Sequence, residues 1–220
     1  MHLKFVLFIL YTLTFLFEKT VQAQALIPED ADSISAAVLQ GKSLSEARLR
    51  YEYVNEENKP QDANAFTLRT LVGWQTAAIH HLSLGLQALD VTHLNHAFYD
   101  NFMDRDQPSR FPTVADPEIT DINQLFLDYT GIKHNHVRLG RQIVRLDNAR
   151  FLGESPFRQI PQIFDGFTLR NQSLQDTEFF LGHYDHLRQS NARYRSANID
   201  VLHLTYQYLP KANVVTYGYF

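Results

Sequence analysis

The 220-residue chain contains no cysteine and has a net charge of −4 at pH 7. The acidic balance argues against nucleic acid as the main partner, and without cysteine no disulfide can stabilise the fold. Tyrosine and phenylalanine occur 11 and 16 times, and this abundance favours β-strands over helices.

The N-terminus has the layout of a secretory signal peptide. An apolar run extends from Phe5 to Phe17, and a Val-x-Ala site ends at Ala23. The run is too short for a membrane-spanning helix, which needs about 20 residues. We therefore assign residues 1–23 to a signal peptide that is cleaved after Ala23, which places the protein outside the cytoplasm.

Residues 24–47 form a lead segment in which we expect one short helix, and strand patterns dominate from residue 48 onward. In most later windows apolar and polar residues alternate with the two-residue period of a strand. Nine windows are predicted to be strands: 48–54, 65–74, 81–89, 123–129, 137–144, 163–170, 177–184, 200–208 and 213–220.

Short and long connections alternate between these windows. The long ones are 55–64, about 90–122, 145–162 and 185–199. Tight periplasmic turns and long external loops alternate in this way in transmembrane β-barrels. Aromatic residues also cluster at strand ends, as membrane-interface girdles require: Tyr51, Tyr53, Trp74, Tyr129, Tyr206, Tyr208 and Tyr217.

Several segments resemble a family of Gram-negative outer-membrane porins that contain the alginate-export domain. The resemblance is strongest at "NQLFLDYTGI", "VRLGRQIVRLDNARFLGE" and "FRQIPQIFDGFTLRNQSLQDT", and it extends to "ANAFTLRTLVGWQT" and "VADPEITDINQ". It covers roughly residues 46–220. The resemblance implies a many-stranded barrel, a signal peptide and the passage of small or anionic solutes. It does not imply alginate as the substrate.

The predicted fold is an all-β, antiparallel transmembrane β-barrel over residues 48–220, or the N-terminal and incomplete part of one. Members of the family have barrels of about 16 to 18 strands, and bacterial single-chain barrels have an even number of strands. Nine strands therefore indicate a truncated barrel. The alternative is a complete eight-stranded barrel, in which one window is not a strand.

Polar residues that alternate with the apolar ones are expected to line the channel. These are Arg48, Arg50, Glu52, Arg69, Gln124, Asp128, Arg138 and Gln142. The resemblance suggests that the loop after residue 144 folds against or into the barrel mouth, and we expect a constriction there with Arg145, Asp147, Arg150, Arg158 and Asp165. Because arginine stays charged and binds carboxylates with a planar fork, the set predicts a weak preference for anions. Mutual salt bridges that fix the loop are the alternative interpretation.

Arg141 breaks the alternation, because it shares a face with Val137 and Leu139. A charged residue on the lipid face costs about 2–4 kcal/mol at the bilayer midplane and far less near the interfaces. We therefore expect a β-bulge at this point or a position near the membrane interface.

The sequence contains no recognisable catalytic motif, and the spacing of its histidines is not typical of metal sites. We therefore expect a non-enzymatic channel for passive diffusion, without metal or cofactor. It would lie in the outer membrane of a Gram-negative bacterium, contact outer-membrane lipid and small solutes, and be inserted by the barrel-assembly machinery. Two alternatives remain: a surface barrel whose loops bind a partner without an open pore, and a soluble exported β-sandwich. The sequence leaves the oligomeric state open.

Overall fold

The computed structural model describes residues 7–16, 30–95, 99–101, 110–147, 149, 152–209 and 212–220. One short helix, α1 (Ile34–Leu39), is found in this part of the chain. The strands are β1 (Leu7–Leu16), β2 (Lys42–Ser43), β3 (Glu46–Asn55), β4 (Ala63–Gln75), β5 (Leu82–His93), β6 (Ile119–Tyr129), β7 (Asn135–Gln142), β8 (Ile163–Asn171), β9 (Thr177–Arg188), β10 (Tyr194–Leu209) and β11 (Ala212–Tyr219).

The strands form a single antiparallel sheet in which neighbours along the chain are neighbours in space. Its order is β1-β3-β4-β5-β6-β7-β8-β9-β10-β11, and the short β2 pairs with β4. The fold is therefore the up-and-down sheet of an antiparallel β-barrel. Within the described residues β1 and β11 are edge strands that do not pair with each other. Each of the nine predicted windows overlaps one of the strands β3 to β11, and the predicted short helix is α1.

The connections define two ends of the sheet. We call one the turn end, with connections 76–81, 130–134, 172–176 and 210–211, and the other the loop end, with connections 56–62, 94–118, 143–162 and 189–193. The connection 189–193 is shorter than the sequence suggested, because β9 and β10 extend beyond their windows. A register shift between Ser196 and Ile199 breaks the alternation there.

One strand lies in a segment that the sequence assigned to the signal peptide. Leu7–Leu16 pairs with β3 over ten positions, from Leu7 opposite Asn55 to Leu16 opposite Glu46. The edge of β3 would otherwise present a row of unpaired backbone N–H and C=O groups, to which an extended apolar segment can bind.

The two faces of the sheet differ in polarity, and the exposed face is the apolar one. This is the reverse of the arrangement in a soluble protein. Along β5, Leu82, Leu84 and Leu86 are 41 to 50% exposed, whereas Gln87 on the other face is buried. The same holds on β4, β6, β7, β10 and β11, where the exposed apolar residues are Val72, Trp74, Ile122, Leu125, Leu127, Tyr129, Leu139, Leu202, Leu204, Tyr206 and Val214. We call these two surfaces the apolar face and the polar face. An apolar exterior on one continuous sheet is the pattern of a membrane barrel and not of a soluble sandwich, whose apolar faces pack together.

The two long connections fold back over the polar face. Tyr99 and Val114 of connection 94–118 pack on Val54, Ala63 and Ala65. Connection 143–162, which we call the inserted loop, packs Ile160 against β4 and β5. The first part of the inserted loop packs against β8 and β9. Among the described residues no helix is long and apolar enough to cross a membrane.

Candidate functional site

The polar face brings together all eight side chains that the sequence predicted to line a channel. Cross-strand partners share a face of a sheet, and Arg48 is registered opposite Arg69, as Asp128 is opposite Arg138. Seven of the eight are buried and Arg138 is partly buried. Burial of so many charged groups requires partners, and the two long connections provide many of them.

Arg50 is the centre of a buried ion-pair cluster. Its guanidinium donates to the carboxylate of Glu52 on the same strand and to that of Asp116 from connection 94–118. Arg69 on β4 pairs with Glu46 in a similar way. These two arginines are therefore neutralised locally by acidic side chains.

Arg48 is different, because its guanidinium contacts only neutral acceptors among the described residues. It donates through Nε to Gln159 Oε1 at 2.8 Å and through one terminal nitrogen to the carbonyl of Pro156 at 2.9 Å. The other terminal nitrogen donates to the carbonyl of Arg158. Arg48 is therefore a buried positive charge held by backbone and amide oxygens.

Gln159 connects the inserted loop to the sheet. Its side chain is fully buried, and Nε2 donates to Thr67 Oγ1 at 2.8 Å while Oε1 accepts from Arg48. Its backbone N–H donates to Asp116 Oδ1 at 2.9 Å. One residue therefore joins β3, β4 and both long connections, which fixes the inserted loop on the polar face.

A cavity of about 310 Å³ lies between these arginines and the inserted loop. Its lining includes Arg48, Arg69, Gln87 and Glu154. The Nε of Arg69 is buried and has no hydrogen-bond partner among the described residues. The cavity therefore presents the basic donors of two arginines, and the carboxylates of Glu46 and Glu154 also line it.

A second basic cluster lies farther along the polar face, but its charges are paired. Arg138 binds Asp128 through two hydrogen bonds of 2.6 and 2.8 Å and lies over the ring of Phe126 at 3.7 Å. Arg170 pairs with Glu178 at 2.6 Å. A cavity of about 210 Å³ lies beside Arg138 and Arg170.

The predicted constriction residues are only partly brought together. Arg145 pairs with Glu154 inside the inserted loop, and the imidazole Nε2 of His203 on β10 donates to the carboxylate of Asp147 at 2.9 Å. Arg158 lies 3.7 Å from Glu52. Arg150 lies outside the described residues.

The placement of Asp165 in the constriction is wrong. Asp165 belongs to β8, where it is registered opposite Arg141 on the apolar face, and its carboxylate binds that guanidinium at 2.8 and 2.9 Å. The pairing of β8 with β7 is regular at this point, so Asp165 shares the apolar face with Phe167 and Leu169 and does not face the channel.

The same geometry explains Arg141, for which the sequence predicted a bulge or an interfacial position. Arg141 is the second-last residue of β7 and lies next to the register shift at Asp165. Tyr194 accepts a further hydrogen bond from Arg141 at 2.9 Å. Similar cross-strand polar pairs, Asp90 with Thr120 and His183 with Asp200, also lie beyond the exposed leucines of the apolar face. Together these pairs mark its boundary towards the loop end.

Connection 94–118 supplies one neutral group to the site. Burial raises the pKa of Tyr99 well above its usual range, and the nearby carboxylates of Asp116 and Glu118 add to this effect. The hydroxyl therefore stays protonated, and it donates to the backbone carbonyl of Asp116 at 2.9 Å. This contact helps to hold Asp116 towards Arg50.

Sequence reasoning missed Asp116, Gln159 and Arg170. Asp116 and Gln159 lie in connections, where no periodicity shows which side chains point inward. Arg170 lies in window 163–170, where apolar residues occupy both odd and even positions, so alternation does not show which side chains point inward. Among the described residues no group of three or more histidine, aspartate or glutamate side chains is arranged to hold a metal ion.

An antiparallel meander with an exposed apolar face and a buried, charged opposite face is the architecture of an outer-membrane β-barrel. No protein-family model and no curated protein matches the chain. Among solved structures it is similar to OccK9 (OpdG) of Pseudomonas aeruginosa, an outer-membrane porin, with a TM-score of 0.63 and 14% sequence identity. The match covers 84% of this chain and 51% of that chain, so the chain spans about half the length of the porin. At this identity the similarity shows the fold alone, which is that of an antiparallel β-barrel or part of one.

Proposed function

We propose that this chain forms part or all of an outer-membrane channel through which small anionic solutes diffuse passively, without a catalytic step. The similarity to a porin supports a channel at the level of the fold. The preference for anions rests on the polar face of this chain. The predicted lining residues would act by size and charge alone, with no cofactor.

The anion preference rests on one observation. The guanidinium of Arg48 bonds only to neutral acceptors among the described residues. Arg50 and Arg69 have carboxylate partners, and so do Arg138 and Arg170. Arg48 has neutral acceptors, and it lines the larger of the two cavities on this part of the polar face. In a site shielded from water, a guanidinium without a directly bonded carboxylate attracts anions and repels cations.

Reversal potentials in a planar bilayer under a salt gradient test this proposal. The unmodified protein is expected to prefer anions, and Arg48→Gln is expected to move the reversal potential towards zero. Arg195→Gln is the matched control, because Arg195 is exposed at the loop end and bonds to Gln189 at 2.9 Å. Equal shifts in both variants, or none in Arg48→Gln, would contradict the assignment.

A second candidate function is a surface barrel whose external loops bind a partner without forming an open pore. It is favoured by the inserted loop, which fills the polar face and buries Gln159, Ile160 and Leu152. The same bilayer recording separates the two candidates, because a plugged barrel shows no conductance steps.

The remaining features of the proposal come from the sequence. We propose that residues 1–23 are a signal peptide cleaved after Ala23, and that residues 24–47 and 48–220 form the lead segment and barrel of the exported chain. Assembly by the barrel-assembly machinery and the relationship to barrels with the alginate-export domain belong to the same proposal. N-terminal sequencing of the protein from outer-membrane fractions tests the cleavage site.

A further inference from the structure

The lead segment is attached to the turn end of the sheet by backbone contacts. Ala31 N–H donates to the carbonyl of Ala78 at 2.7 Å, and Ala77 N–H donates to the carbonyl of Ala37 at 2.8 Å. β2 then pairs with the last two residues of β4. Helix α1 therefore lies beside connection 76–81, where β4 turns into β5.

Helix α1 contacts the apolar face through the single tryptophan of the chain. The indole Nε1 of Trp74 donates to the carbonyl of Val38 at 2.8 Å. Gly41 lies directly against the same indole ring, where a Cβ atom would come within 2.3 Å of Nε1. Trp74 is exposed on the apolar face, so α1 adjoins the edge of that surface.

The outer side of α1 is apolar and exposed. Ile34 is 78% exposed and Leu39 is 83% exposed, and Val38 lies one helical turn from Ile34. The opposite side holds the buried Ala37. A helix usually turns its apolar residues towards the core, so this arrangement needs an apolar environment outside the protein.

We propose that α1 is an interfacial membrane anchor, which lies in the headgroup region at the turn end and inserts Ile34, Val38 and Leu39 into the lipid. The surface is continuous with the apolar face through Trp74, and tryptophan is typical of the membrane interface. Lys42, exposed just after the helix, can reach the lipid phosphates with its ammonium group. The proposal rests on the membrane-spanning sheet and not on an open channel.

Single-cysteine spin labels test the depth of α1, because the chain has no native cysteine. Ile34→Cys and Leu39→Cys are labelled in the full chain folded in phosphatidylcholine vesicles. Accessibility to oxygen and to a water-soluble nickel chelate is then measured. Leu84→Cys on the apolar face is the lipid control, and Lys133→Cys in connection 130–134 is the aqueous control at the same end.

Labels at positions 34 and 39 are expected to resemble the lipid control, with several-fold lower nickel accessibility than position 133. In the unlabelled chain, lipids brominated near the headgroup are expected to quench Trp74 more than lipids brominated at the chain end. Nickel accessibility equal to that of position 133 would overturn the proposal, because it would place α1 in water. Stronger quenching of Trp74 by the deep bromines would overturn it as well. Neither readout depends on conductance.

Discussion

Charged residues are stabilised by different means on the two faces of the sheet. On the polar face, Arg48 and Arg50 are covered by connections that are distant in sequence, through Gln159 and Asp116. On the apolar face, Arg141 lies at the boundary and is satisfied by Asp165 on the adjacent strand and by Tyr194. Arg48 and Arg50 therefore depend on loops as well as on the sheet, whereas Arg141 depends on partners from neighbouring strands.

The same sheet therefore stabilises charged residues in two environments, the loop-covered polar face and the lipid-facing apolar face. A charge on the polar face can be bound by any loop that folds back over the strands. A charge on the apolar face has lipid outside it, so its partners must come from the sheet itself. Three substitutions test this division, and they are ordered here by the size of the expected effect.

The largest effect is expected for Gln159→Leu. The substitution removes the acceptor for Arg48 Nε and the donor to Thr67, and unsatisfied buried groups cost about 3 kcal/mol in total. We expect this loss in the free energy of unfolding, measured by urea titration in detergent micelles with Trp74 fluorescence. Gln175→Leu, in the exposed connection 172–176, is expected to have little effect. Equal stability of the two variants would show that Gln159 does not anchor the inserted loop.

A smaller effect is expected at the boundary of the apolar face. Arg141→Met leaves Asp165 without its partner and is expected to cost about 2 kcal/mol, because hydrogen bonds between charged groups are broken. The double variant Arg141→Met with Asp165→Leu is expected to recover most of that loss, since replacing both partners by apolar groups is often close to neutral. The free energy of unfolding is measured as above. A double variant that is less stable than either single variant would contradict pairing as the main role of these residues.

The smallest effect is expected at the loop end, in connection 56–62. Tyr53 and Asn55 donate hydrogen bonds to the carboxylate of Asp62, and these bonds hold its pKa below its usual range. Because the folded state favours the ionised form, its stabilising contribution is present at neutral pH and is lost as the pH falls below about 4.

A nitroxide at Glu57→Cys reports this change. We expect its mobility to rise between pH 6 and pH 3 in the otherwise unmodified chain, and to be independent of pH when Asp62→Asn is added. The same pH response in both backgrounds would assign the change to another group.

The strands could be predicted because alternation is local. Leu82, Leu84 and Leu86 identify β5 and its apolar face without any other part of the chain, whereas the outward direction of that face was inferred from the export signal, the aromatic residues and the loops. Prediction failed where local alternation gave no clear answer. Asp165, which was predicted to belong to the constriction loop, lies in β8 and shares the apolar face with Arg141 of the neighbouring strand. The shift between Ser196 and Ile199 concealed the first part of β10.

By itself, the sequence determined nine strands, their order along the chain, and the residues that share the polar face. The tertiary structure alone decided which of those charges are neutralised. Arg48 and Arg50 have the same environment in the sequence, two positions apart on one strand. Yet Arg50 binds carboxylates, and Arg48 binds Gln159, which is 111 positions away. Local periodicity fixes the direction of a side chain, but its partner depends on how distant connections fold over the sheet.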